Sequence, residues 1–184
     1  MERWRADVVA GLRGRVVEIG FGSGLNVKHY PSEIDVVLAV EPAAVARRLA
    51  QPRIAASGVA IEHIGTDGQS LPIADASCDG ALSTFTLCTV PDPLAALGEI
   101  FRVLRPGGRL HFLEHGVSPD PRVASWQRRI EPLQRRLAGG CHLTRDAADL
   151  VARAGFHLER CDQAYGKGPK PWSYFTLGVA AKPR

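Results

Sequence analysis

The chain has 184 residues, is 45% hydrophobic and 23% charged, and carries a formal net charge of +4. A chain of this length buries a sizeable core without disulfides or metals. No apolar run approaches the roughly 18 residues of a membrane span, and residues 1–7 lack a signal peptide's apolar region, so a cytoplasmic location is expected. The four cysteines, at 78, 88, 141 and 161, form no C-x-x-C pair. They argue against a zinc or redox site and are expected to be small buried residues. The basic residues are mostly arginines spread along helices, without the interleaved aromatics of a nucleic-acid surface, which disfavours RNA or DNA as a partner.

In chain order, Trp4, Val8, Val9 and Leu12 share one face of a short N-terminal helix within residues 1–14. A first strand near 15–19 ends in Glu18-Ile19 and runs into Gly20-Phe21-Gly22-Ser23-Gly24. Glycines let a backbone turn tightly and approach a ligand closely, and a helix expected over 24–29 would aim its free N–H groups at the same place. The spacing is not the G-x-G-x-x-G of a dinucleotide site, which would require glycine at Leu25.

A second strand, 35–40, ends in Glu41, placed to accept hydrogen bonds from ribose hydroxyls. The alternative role for Glu41 is an acid at the N-terminus of a helix over 42–51. A third strand, 60–65, leads to Asp67-Gly68-Gln69-Ser70-Leu71-Pro72, and a fourth, 79–85, ends at Thr84. A helix over 92–104 is expected to stop at Pro106 and turn at Gly107-Gly108 into a fifth strand, 108–114. Val123, Trp126, Ile130, Leu133 and Leu137 then recur at helical steps in a helix over 120–137 that Pro132 can kink. A helix from Thr144 to Ala154 and closing strands near 156–163 and 173–182 complete a single α/β domain, with a helical insertion at 116–142 after strand five.

Glu18-x-Gly20-x-Gly22-x-Gly24 resembles motif I of the class I S-adenosylmethionine (SAM) methyltransferases, and Asp67–Pro72 and Glu99–Gly108 resemble later motifs of that family. The resemblance implies a Rossmann-like seven-stranded sheet, mostly parallel with an antiparallel last strand. It also implies SAM as cofactor, no metal, and a cofactor site built from Glu18, Gly20, Gly22, Gly24, Glu41, Asp67, Gly68 and Thr84. Asp67 and the Gly68 backbone would meet the adenine edge.

Gly24-x-Asn26 with Tyr30-Pro31, Leu87–Val90, Phe112-Leu113-Glu114-His115, Trp126-Gln127 and Gly140-Cys141-His142-Leu143-Thr144-Arg145 are similar to the animal methyltransferase-like protein seven family, whose members methylate small alkyl thiols. That family's long hydrophobic N-terminal segment has no counterpart in the fourteen residues before the first strand here, so membrane anchoring is not expected to carry over.

The implied chemistry is displacement at a sulfonium methyl, in which the protein binds, aligns and desolvates the reactants. A free thiol has a pKa of about 8.5, so a nearby imidazole would raise the thiolate share. His115, just past strand five, is the candidate catalytic group. His142 is a second candidate, each having a structural hydrogen bond as its alternative. Cys88 and Cys141 are candidates to line an acceptor pocket. The acceptor is expected to be small and apolar, a thiol first. An O- or N-methyltransferase of phenolic, quinone-like or lipid metabolites, and a SAM-binding module without turnover, are the alternatives. The 122–137 helix is expected to pack over the sheet edge, to cover the acceptor site, or to make a peripheral membrane contact.

Overall fold

A computed structural model describes residues 1–184. Seven strands lie in the order β3-β2-β1-β4-β5-β7-β6. They are β1 (Gly14–Ile19), β2 (Ile34–Val40), β3 (Ala60–Gly65), β4 (Cys78–Thr84), β5 (Leu104–His115), β6 (His157–Tyr165) and β7 (Tyr174–Ala181). β1 to β5 pair in parallel, and β7 runs antiparallel to both β5 and β6. This is the expected Rossmann-like sheet with its antiparallel last strand.

The central strands read as nearly unbroken apolar runs because both faces are covered. On one face Leu97 and Ile100 of α3 (Pro93–Val103) and Val151 of α5 (Ala147–Arg153) join the core around Val17, Leu38 and Phe112. On the other, Val8 and Val9 of α1 (Glu2–Val9) and Ala50 of α2 (Ala44–Ala55) pack around Val16, Val37 and Leu82. The N-terminal segment is therefore docked on the sheet.

Several elements differ from expectation. The helix expected over 24–29 is only a 3₁₀ turn, Val27–His29. Tyr30-Pro31 follows, and a residue before proline avoids the α region, so the turn cannot continue as a helix. The Asn26 side chain is drawn into a buried network instead of continuing a helical face. α3 ends at Val103, ahead of Pro106, because Leu104 is already extended and pairs with Cys78. α5 begins at Ala147 with Asp146 as its cap, the carboxylate accepting from the Ala148 and Asp149 N–H groups, so Thr144 lies outside the helix.

The helix after strand five, α4 (Pro121–Leu137), is continuous through Pro132. Only part of the expected face is packed: Ala124 and Gln127 are buried and Val123 and Ile130 half-buried, Ile130 against Cys88, Cys141 and Leu143, while Trp126, Leu133 and Leu137 point outward. Gln127 accounts for the choice. Its carboxamide is satisfied by the Ser118 N–H and the Gly116 and Pro171 carbonyls, which only the inward face offers. Of the four cysteines, 78, 88 and 141 are buried as expected, but Cys161 lies exposed on edge strand β6.

Candidate functional site

The carboxyl ends of the parallel strands meet on one edge of the sheet, with Ile19 opposite Val40 and Ser83, and Thr84 opposite Leu113. A cleft of about 680 Å³ opens there, the place where α/β sheets bind ligands. Gly20, Gly22, Glu41, Asp67, Gly68 and Thr84 all line it.

The glycine turn is required by its geometry. Gly20, Gly22 and Gly24 have φ of +69°, +58° and +73°, where side-chain-bearing residues are strained. A Cβ on Gly20 would also overlap the Thr86 side chain, whose hydroxyl donates to the Ile19 carbonyl at 3.2 Å. The turn is held by Glu41, which accepts from the Gly22 N–H at 2.8 Å and, through its other oxygen, from the Ala43 N–H ahead of α2 at 2.8 Å. Each carboxylate oxygen retains a further lone pair for a ligand hydroxyl. Glu41 thus braces the helix start and faces the cleft at once.

Asp67 accepts from the Gln69 N–H through Oδ1 at 2.8 Å, and Gln69 in turn accepts from the Asp92 N–H at 2.9 Å. Oδ1 shapes the turn, and Asp67 lines the cleft. Gly68 backs onto Ile19, and an added Cβ would sit 3.5 Å from it.

Glu18 and Gly24 are set behind the cleft wall. Glu18 is buried, accepting from Asn26 Nδ2 at 2.7 Å and from the Tyr30 hydroxyl. Burial pushes its carboxyl up to about 7, against the opposing hydrogen bonds from Tyr30 and Asn26 and the Arg5 charge. Asn26 also donates to Thr84 Oγ1 at 3.0 Å, which ties β1, the glycine turn and β4 into one unit.

Two further groups were given no role from the sequence. Arg5 of α1 is the only cationic side chain lining the cleft, donating to Asn26 Oδ1 at 2.7 Å and lying over the Phe85 ring. Its helix was recognised, but Arg5 sits 21 residues from its partner and no local pattern marks it. Glu114, fully buried on β5, accepts from Ser83 Oγ and from the Thr86, Leu87 and Cys88 N–H groups at 2.9–3.3 Å. An acid at the end of an apolar strand was the visible signal. Arg145 closes the same turn from outside through the Leu87 and Val90 carbonyls.

His115 lies beyond Phe85, which lines the cleft with a strained φ of +54°. The imidazole is flanked by Phe85 at 4.9 Å and Phe175 at 5.2 Å between ring centroids, and Trp4 packs on Phe175. Its Nδ1 is buried without a hydrogen-bond partner. Burial lowers the His115 pKa, opposed by the Trp172 backbone. His142 instead pairs with Glu131 at 3.0 Å, and Glu131 also accepts from the Thr144 N–H, so His142 serves the loop after α4. Cys88 and Cys141 pack together with Leu143, outside the cleft lining.

The cleft offers groups that match those SAM presents: a glycine turn at positive φ, an acid at the end of β2, a second acid beside a polar turn, and one cation from α1.

A family model for the methyltransferase domain matches residues 17–112. The chain is 35% identical over 169 residues to thiol S-methyltransferase TMT1B of Rattus norvegicus, covering 89% of this chain and 66% of that protein. Its identity to the Homo sapiens TMT1B is 34% over 178 residues, covering 92% of this chain and 70% of the human protein. The chain thus spans about two thirds of the length of these relatives. The solved structure of a Bacillus halodurans protein assigned as a methyltransferase superposes with a TM-score of 0.82 at 15% identity, covering 100% of this chain and 99% of that one, a likeness of fold. Sequence, sheet order and cleft agree: the chain belongs to the class I SAM-dependent methyltransferase family, in the branch that contains the thiol S-methyltransferase TMT1B.

Proposed function

We propose that the protein methylates a small apolar acceptor with SAM, and that the acceptor is an alkyl thiol. The observation that carries the choice of acceptor is the free Nδ1 of His115 between Phe85 and Phe175. Buried polar atoms are nearly always paired, so a lone imidazole nitrogen one ring behind the cleft wall, with Phe85 between it and the cleft, marks a place for a proton once an acceptor displaces that ring. The two relatives named as thiol S-methyltransferases support the same reading.

Gly20 and Gly22 would let the cofactor approach the backbone, Glu41 would take the ribose hydroxyls, and Asp67 with the Gly68 N–H would meet the adenine edge. Arg5 supplies the positive charge that the α-carboxylate needs. Bound SAM supplies an activated sulfonium methyl group. Phe85, Phe175 and Trp4 exclude water around His115, and a dry apolar wall favours a step in which thiolate and sulfonium charges cancel. The lowered pKa keeps His115 neutral near pH 7, so its Nδ1 can accept the thiol proton and raise the thiolate share.

The test is S-adenosylhomocysteine release from purified protein given SAM and matched alkyl thiols, alcohols, phenols and amines. Turnover confined to thiols supports the reading. Turnover of phenols or amines with thiols inert sinks it while leaving the cofactor site intact.

A further inference from the structure

α4 carries five arginines and one glutamate, a net +4 that equals the charge of the whole chain. Residues 126, 133 and 137 recur at steps of seven and four and so share one helix face. On that face Trp126 is 58%, Leu133 61% and Leu137 77% exposed. Arg122, Arg129 and Arg136, seven residues apart, line one side of the same stripe. All three are exposed and none takes part in an ion pair. Scattered exposed apolar residues are ordinary, but a Trp-Leu-Leu stripe edged by unpaired arginines on one continuous helix is not.

The helix is also placed with respect to the site. It ends at Leu137, and Gly139, two residues on, lines the cleft. Trp172 of the β6–β7 connection, 40% exposed, lies against it and donates to Gln134 Oε1 at 3.0 Å, adding a second aromatic beside the stripe.

We propose that this face of α4 docks on the surface of an anionic lipid bilayer, with Trp126, Leu133 and Leu137 in the headgroup layer and Arg122, Arg129 and Arg136 on lipid phosphates. Charge complementarity decides the occupant. A second copy of the chain would bring arginine against arginine, whereas an anionic surface neutralises all three. The docked helix holds the rim of the cleft at the interface, where apolar acceptors partition. The surface is independent of which acceptor is used.

The test is flotation of the full chain with vesicles of phosphatidylcholine and phosphatidylglycerol, against vesicles of phosphatidylcholine alone. Co-flotation with the anionic vesicles only, weakened by salt, is the expected result. Changing Arg122, Arg129 and Arg136 to Gln should lower partitioning roughly five-fold per arginine, about a hundred-fold together. Changing Trp126, Leu133 and Leu137 to Ser should abolish it. S-adenosylhomocysteine binding should stay unchanged in both variants, which separates lost docking from lost folding. No flotation of the unaltered chain, or equal flotation of the variants, overturns the proposal. So does a dimer in solution that the serine variant dissociates while no form of the chain floats, since a second copy would then cover the face.

Discussion

Arg5 donates to Asn26 Oδ1 at 2.7 Å, and the nitrogen of the same amide donates to Glu18 at 2.7 Å and to Thr84 at 3.0 Å. One carboxamide thereby couples the N-terminal helix, the acid of motif I and the end of β4. The consequence is that α1 supplies a group to the cleft as well as a packing face.

Arg5→Ala should weaken S-adenosylhomocysteine binding by about 2 kcal/mol, the range of hydrogen bonds to charged groups, or roughly 30-fold in Kd. The fold should survive, because Val8 and Val9 still anchor α1. Calorimetric titration with S-adenosylhomocysteine and with its decarboxylated analogue decides whether the charge is used. The unaltered protein should prefer the carboxylate, and Arg5→Ala should lose that preference. An equal loss for both ligands would assign Arg5 to wall packing alone.

Gly20→Ala should lower stability by roughly 2–4 kcal/mol and abolish cofactor binding, because it adds a strained φ of +69° to an overlap with Thr86. Gly98→Ala is the matched control. Gly98 lies inside α3 with nothing within 4 Å of an added Cβ, so the change should stabilise by about 0.5–1 kcal/mol. Urea melts of the two variants should move in opposite directions.

These two glycines show what was legible in the sequence. The turn at Gly20, the acid at Glu41 and the Asp67-Gly68 loop were readable because backbone geometry demands those residue types locally, and chain order placed them at the ends of adjacent parallel strands. Arg5 and the donors to Glu114 were not, since each contact joins segments separated in sequence and only the folded sheet brings them together. α4 shows the other limit. Its periodicity announced amphipathicity, but apolar residues occupy neighbouring faces, and the orientation was decided by three hydrogen bonds to Gln127 from outside the helix.

Glu18 gives the stability a pH dependence. Its carboxyl is pushed up to about 7 in the fold, against the usual 4.5 in an unfolded chain. The folded state therefore holds the proton more tightly, and stability present below 4.5 is lost as pH rises to about 7. The loss is on the order of 3 kcal/mol. Glu18→Gln carries no charge at any pH and should flatten this part of the profile, whatever its effect on absolute stability. Denaturant midpoints across the interval check it; an unchanged slope in the variant would place the titration elsewhere.

Glu114→Gln replaces an acceptor-only carboxylate with a group that brings its own donor against four inward-facing ones. At least one donor is left unsatisfied in the core, so a loss of roughly 2–3 kcal/mol is expected. For a chain of this size that lowers Tm by about 5–10 °C. Scanning calorimetry reads it directly. Glu114→Asp, which keeps the acceptors but shortens the reach, should fall between the two.

His115 acts as a proton acceptor or as a packing residue, and the two roles differ in their pH dependence. If His115 takes the acceptor's proton, the neutral imidazole is the active form, and its burial-lowered pKa keeps that form populated below the usual 6.5 of histidine. Thiol methylation should then stay high well into mildly acidic conditions. In His115→Gln the thiol must ionise unaided, with a pKa of about 8.5. The variant's kcat/KM should fall at neutral pH by up to about 30-fold, because only about 3% of such a thiol is ionised at pH 7. It should also climb toward the unaltered enzyme as pH approaches the thiol's own pKa, with binding of S-adenosylhomocysteine intact. A variant that loses activity equally at every pH would show that His115 only shapes the wall between Phe85 and Phe175.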